Sequence, residues 1–117
     1  MSESGFDLSG WQRRDEERQK IAGDLVVRVD ERRSLLRLIL RDSGAREAFL
    51  FGSVASGRPR PESDADLAVS GCDPERFYRL AAEIERALDL PVDLVNLDRA
   101  FPELAPAIRH DGQRLLP

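Results

Sequence analysis

The stretch Ala48-Phe49-Leu50-Phe51-Gly52-Ser53-Val54-Ala55-Ser56-Gly57-Arg58-Pro59-Arg60-Pro61-Glu62-Ser63-Asp64-Ala65-Asp66-Leu67-Ala68-Val69 sets two apolar runs either side of a loop rich in glycine, proline and serine. Runs of this length bounded by turn signals read as strands, Arg46 to Phe51 and residues 64 to 70. A parallel connection needs a crossover of a dozen or more residues, usually a helix. The segment between these runs has room only for a short helix over Ser53 to Ser56 and a loop containing Gly57, Pro59 and Pro61. A third run, Val92-Asp93-Leu94-Val95, follows Pro91 and extends over residues 92 to 96.

Outward from this centre the signals are helical. Asp73-Pro74-Glu75 places an N-cap aspartate before a proline at the first helical position. Phe77, Leu80, Ala81, Ile84 and Leu88 then recur at helical spacing, so one face packs on the sheet. Upstream, Ser9 and Gln12 have the spacing of a capping box, and no proline interrupts the chain to about Ser43. Ala22, Leu25, Val29, Leu36, Ile39 and Leu40 form its apolar stripe, with Gly23 the expected point of a bend and Ser43-Gly44 the stop. Downstream of Pro102 a short helix over Glu103 to Arg109 and an extended piece after Gly112 are expected.

The order helix, strand, strand, helix, strand predicts an α+β fold with a small mixed or antiparallel sheet and helices packed on one face. Residues 1–8 read as a flexible N-terminus and 9–117 as a single domain: a long helix over 9–43, a core over 46–97 and a tail over 98–117. The glycines match neither a dinucleotide fingerprint nor a P-loop, which requires a lysine after its second glycine.

Composition narrows the function classes. Charged residues make up 34% and apolar residues 41% of 117, with a net charge of −4, so bulk nucleic-acid binding has no electrostatic support. Cys72 is the only cysteine, which rules out an intramolecular disulfide and a cysteine zinc cluster. No basic leader precedes an apolar stretch and no run of about 18 apolar residues exists, so a cytoplasmic protein with no membrane span is expected.

The carboxylates carry the chemistry. Side chains at i and i+2 of a strand share a face about 6.5–7 Å apart, so Asp64 and Asp66 point together while Ala65, Leu67 and Val69 face the core. If the third strand lies beside the second, Asp93 joins them. Like charges so placed call for a divalent cation, and Mg²⁺ with attached phosphates suits oxygen ligands. Two such ions about 3.5–4 Å apart would bind the attacking and leaving oxygens of a phosphoryl displacement. Gly52 permits close backbone approach to phosphate, and the Ser53 hydroxyl with the neighbouring amides offers donors. Asp93 could also act as general base. The implied reaction is attack on an α-phosphate with release of pyrophosphate.

Each element taken singly has a plainer reading: Gly-Ser is a turn, and Asp-x-Asp or Asp93 a solvated strand face. Gly52-Ser53, ten residues, Asp64-Ala65-Asp66-Leu67 and later Val92-Asp93-Leu94 together resemble the signature of the DNA polymerase beta-like nucleotidyltransferase superfamily, especially its minimal MNT branch. That resemblance covers residues 46–97 and extends loosely to the leading helix and the tail. It implies a compact nucleotidyltransferase core using ATP or another NTP with Mg²⁺, metal ligation and catalysis at Asp64, Asp66 and Asp93, and triphosphate binding at Gly52 and Ser53. It also implies a partner, because members of this branch commonly serve as antitoxin to a HEPN-domain toxin and some transfer AMP onto it.

One departure is Ser56, where many relatives carry a basic or bulky residue; Arg58 or Arg60 is the candidate substitute. The competing functions are a binding module that neutralises a partner by contact with a vestigial site, and a transferase for a small hydroxylated molecule. The chain has no room for the acceptor-binding domain of larger relatives, which favours a protein acceptor. His110, Cys72 and Trp11 read as surface, inert and packing residues. The arginines of 13–18 and 28–37 read as a solvated face.

Overall fold

A computed structural model of the chain describes residues 8–60 and 63–117, with side chains from Arg14 onward except Asp15. Residues 1–7 of the flexible N-terminus expected over 1–8, and the side chains of the Ser9–Gln12 capping box and Trp11, lie outside what is described, whereas Leu8 already opens α1. Five helices and four strands follow in the order α1 (Leu8–Glu31), α2 (Arg33–Asp42), β1 (Glu47–Phe51), α3 (Gly52–Ala55), β2 (Ala65–Ser70), α4 (Pro74–Leu88), β3 (Val92–Asn96), α5 (Leu104–Asp111) and β4 (Gln113–Leu116).

The sheet is mixed, with strand order β3-β2-β1-β4. The short connection makes β1 and β2 antiparallel, whereas α4 supplies the crossover that lets β3 run parallel to β2. The extended piece after Gly112 becomes β4, antiparallel to β1 on its other side, so β1 is an interior strand. Its central residues Ala48, Phe49 and Leu50 are accordingly buried.

The sheet's two faces carry different loads. Ala48, Leu50, Ala65, Leu67 and Val69 meet Leu25 and Val29 of α1, Leu36 and Leu40 of α2, and Leu80, Ile84 and Leu88 of α4 in the main core. These helices lie on one face, as the apolar stripes predict. On the opposite face α5 places Ile108 against Phe49, Ala68 and Leu97 in a smaller cluster. A Cβ on Gly112 would press on the Ile108 carbonyl oxygen at 2.6 Å, so glycine permits the tight passage from α5 into β4.

The long helix does break, but not at Gly23. Helix α1 runs through Gly23, where an added Cβ would meet nothing, and ends at Arg32, whose backbone sits at φ −103°, ψ 11°. Tertiary contacts gather at this break. Arg32 Nη1 donates to the Ala87 carbonyl at 2.9 Å and Arg28 Nη1 to the Asp89 carbonyl at 2.7 Å, satisfying acceptors at the end of α4 that no helical amide reaches. Arg37 Nε donates to the Leu115 carbonyl at 3.2 Å, and Arg33 Nη2 bridges Asp30 and the Gln113 amide oxygen. The arginines of 28–37 therefore tie helices to the rest of the molecule; reading them as a solvated face is corrected. Helix α4 starts as expected, with the Asp73 carboxylate accepting from the Glu75 amide at 3.0 Å. No helix among the described residues is long and apolar enough to cross a membrane.

Candidate active site

Gly52 follows β1 directly and opens α3. Its φ of +76° lies in the left-handed region that favours glycine, and a Cβ there would fall on the Asp66 carboxylate. Two constraints thus meet at one residue. Phe51 pairs across the sheet with Asp66, and Val54, only 3% exposed, anchors α3 in the core. The backbone of the turn thus lies close against the second carboxylate of the Asp-x-Asp pair.

The loop after α3 returns to the same point. Ser53 Oγ donates to Ser63 Oγ at 3.1 Å, and Ser63 Oγ accepts from the Arg60 amide at 2.7 Å. Ser63 also donates its own amide to the Arg60 carbonyl at 2.9 Å, and the Arg58 amide donates to the Ser53 carbonyl at 3.0 Å. Ser63, which sequence reasoning did not single out, is thereby joined to the turn. The available signal was a hydroxyl immediately before the first carboxylate. The Ser56 hydroxyl turns back to the Ser53 carbonyl at 2.9 Å, while Arg58 and Arg60 are exposed beside it.

The third carboxylate arrives through the parallel ladder. Asp66 and Asp93 are register partners, and in-register neighbours on adjacent strands present side chains to the same face, with the strands about 4.8 Å apart. Asp64 precedes β2 by one residue at its open end. Asp66 is half-buried while Asp64 and Asp93 are exposed. Burial first, then the charges of Asp93 and Asp64, holds the Asp66 carboxyl above the ordinary aspartate range. Among the described residues no hydrogen bond or ion pair compensates any of the three.

An uncompensated, partly buried acidic group with two like-charged neighbours fits a divalent cation with oxygen ligands. Among the described residues no three such groups are already closed round a common point. Rotation of the exposed Asp64 and Asp93 side chains about the half-buried Asp66 is what ligation would require.

Two further features frame the site. On the same sheet face Glu47 accepts from Arg109 Nη2 of α5 at 2.9 Å and from the Ser70 hydroxyl at 3.0 Å, with Arg114 Nη1 at 3.6 Å. The Arg109 and Ser70 hydrogen bonds hold the Glu47 carboxyl below the usual glutamate range. This clamp fixes α5 across β1. Between α3 and α5 a cleft of about 320 Å³ opens beside Phe51 and Gly52. His110 is exposed and pairs with Asp111 at 2.7 Å. Cys72 is buried, and burial pushes its thiol up.

This sheet, turn and carboxylate register can be set against known proteins. Residues 23–117 match the family model described as polymerase beta, nucleotidyltransferase. The chain belongs to this nucleotidyltransferase family. It is 36% identical over 70 residues to the protein adenylyltransferase MntA of Shewanella oneidensis, a match covering 57% of this chain and 50% of that protein. The match thus spans about half the length of this curated relative. Among solved structures of the nucleotidyltransferase family, one assigned as a minimal nucleotidyltransferase superposes with a TM-score of 0.68 at 29% identity, covering 74% of this chain and 92% of the other. A chain of the complex between tri-AMPylated Shewanella oneidensis HEPN toxin and MNT antitoxin superposes with a TM-score of 0.54 at 29% identity, covering 71% of each.

Proposed function

We propose that this nucleotidyltransferase moves a nucleoside monophosphate, AMP from ATP, onto a hydroxyl of a partner protein, with Mg²⁺ as its cofactor and a HEPN toxin as the partner it neutralises. The observation that carries the reading is the register of Asp66 with Asp93, at the point where Gly52 abuts the Asp66 carboxylate. The relatives add the substrate class: one is named a protein adenylyltransferase, and another is solved with an AMPylated HEPN toxin.

In this reading Asp64, Asp66 and Asp93 hold the divalent cation, which when bound neutralises phosphate charge and the charge developing on the leaving oxygen. Gly52 lets the backbone approach the triphosphate, and the hydroxyls of Ser53 and Ser63 bind its oxygens. Asp93, exposed at the edge strand, accepts the proton of the attacking hydroxyl. The hydroxyl oxygen forms a bond to the α-phosphorus, the bond from that phosphorus to the bridging oxygen breaks, and pyrophosphate leaves. Arg58 or Arg60, exposed in the loop after α3, is the candidate to meet the outer phosphates in place of Ser56.

The test is transfer itself. Incubating the chain with Mg²⁺, α-labelled ATP and its HEPN partner should label the partner, and Asp64→Asn/Asp66→Asn should not; an unlabelled partner under all four nucleotides would end the catalytic reading. A second reading, neutralisation by contact alone, is favoured by α1, whose residues 16–21 are all exposed and add nothing to the core. Full protection of cells by the double variant would select it.

A further inference from the structure

We infer that the cleft between α3 and α5 seats the nucleoside half of the nucleotide, its base against Phe51 and the apolar side of α5. This rests on the reading of the carboxylate site as a nucleotide site and extends it from the phosphates to the base and ribose, to which no residue has been assigned so far.

The cleft and the carboxylates share a wall. Phe51 and Gly52 line the cleft, and the same two residues adjoin Asp66, one as cross-strand partner and one by close approach. A nucleotide whose phosphates lie at the turn therefore has this opening within one residue of its anchor. The walls suit an aromatic base: Phe51, Leu104, Ala107 and Ile108 supply apolar surface, and Leu104 remains 37% exposed. The rim suits a ribose, with the Ser56 hydroxyl and the Asp111 carboxylate at its edge. Its volume of about 320 Å³ falls within the range of small-ligand sites, which are mostly apolar with a few polar groups.

The cleft is also preformed. Arg109 binds Glu47, Ile108 is buried beside Phe49, and the Gly112 turn fixes the end of α5. Helix α5 therefore does not need to be ordered by the ligand, and the cost of binding is correspondingly lower.

Binding measured by calorimetry in Mg²⁺, with ATP and with inorganic tripolyphosphate as separate probes, tests the assignment. Ala107 is exposed on the cleft wall, so Ala107→Trp fills the opening without entering the core, and Leu104→Ser removes apolar wall as an independent change. Both should weaken ATP by roughly tenfold or more, the scale of a lost base contact, and leave tripolyphosphate unchanged. Unaltered ATP affinity in both variants overturns the cleft assignment alone. Equal weakening of the two probes also overturns it, because the variants would then act through the turn. If the unsubstituted chain binds neither probe, the nucleotide reading fails and takes this inference with it.

Discussion

Gly52 is where backbone freedom and site geometry cannot be separated. A left-handed backbone costs a residue with a Cβ about 1–2 kcal/mol, and at this position the Cβ would also displace the Asp66 carboxylate. Gly52→Ala is therefore expected to lower unfolding free energy by at least about 1–2 kcal/mol in denaturant titration, and to abolish transfer even where the fold survives. A variant with native-like transfer would show that the Asp66 position is not needed. Ser63 belongs to the same scale, since its hydroxyl joins Ser53 to the amide of Arg60.

At the scale of elements, the helices show which local signals held and why. Asp73 caps α4 as its sequence context implies, and Asp73→Ala should cost about 1 kcal/mol, visible as a lower thermal midpoint. Gly23 lies in continuous helix with open space where a Cβ would stand, so Gly23→Ala should raise stability by about 0.5–1 kcal/mol; a loss instead would mean that the glycine serves a contact outside this chain. The break falls at Arg32, whose guanidinium donates to the Ala87 carbonyl of α4. No window of local sequence contains both partners, which is why propensity pointed to the glycine.

For the molecule as a whole, Glu47 couples α5 to the sheet and does so in a pH-dependent way. Its pKa is lowered in the folded state by Arg109 and Ser70, so its stabilising effect is present above the ordinary glutamate range and is lost as pH falls through the lowered value. Glu47→Gln should melt below the unsubstituted protein at pH 7, and the two melting curves should converge in acid. If the gap persists unchanged at low pH, the clamp is not ionic. A weakened clamp would loosen α5 and with it the cleft, linking a stability measurement to nucleotide affinity.

The loop length determined that β1 and β2 are antiparallel and the ordered set of turn and carboxylates determined the family, while period-two alternation carried only the expectation that Asp64, one residue before β2, points with Asp66. Loop reach and alternation are local, fixed by strand geometry within about twenty residues, and the signature from Gly52 to Asp93 is read from residue types in order, without any packing. Only the tertiary structure decided that β3 lies beside β2 in the register that brings Asp93 to Asp66, that β4 closes the other side of β1, and that α5 crosses the carboxylate face. Each of those depends on which surfaces are buried together across 25 or more residues of chain. Burial energy is summed over the assembled core, whereas alternation and capping are written in neighbouring residues.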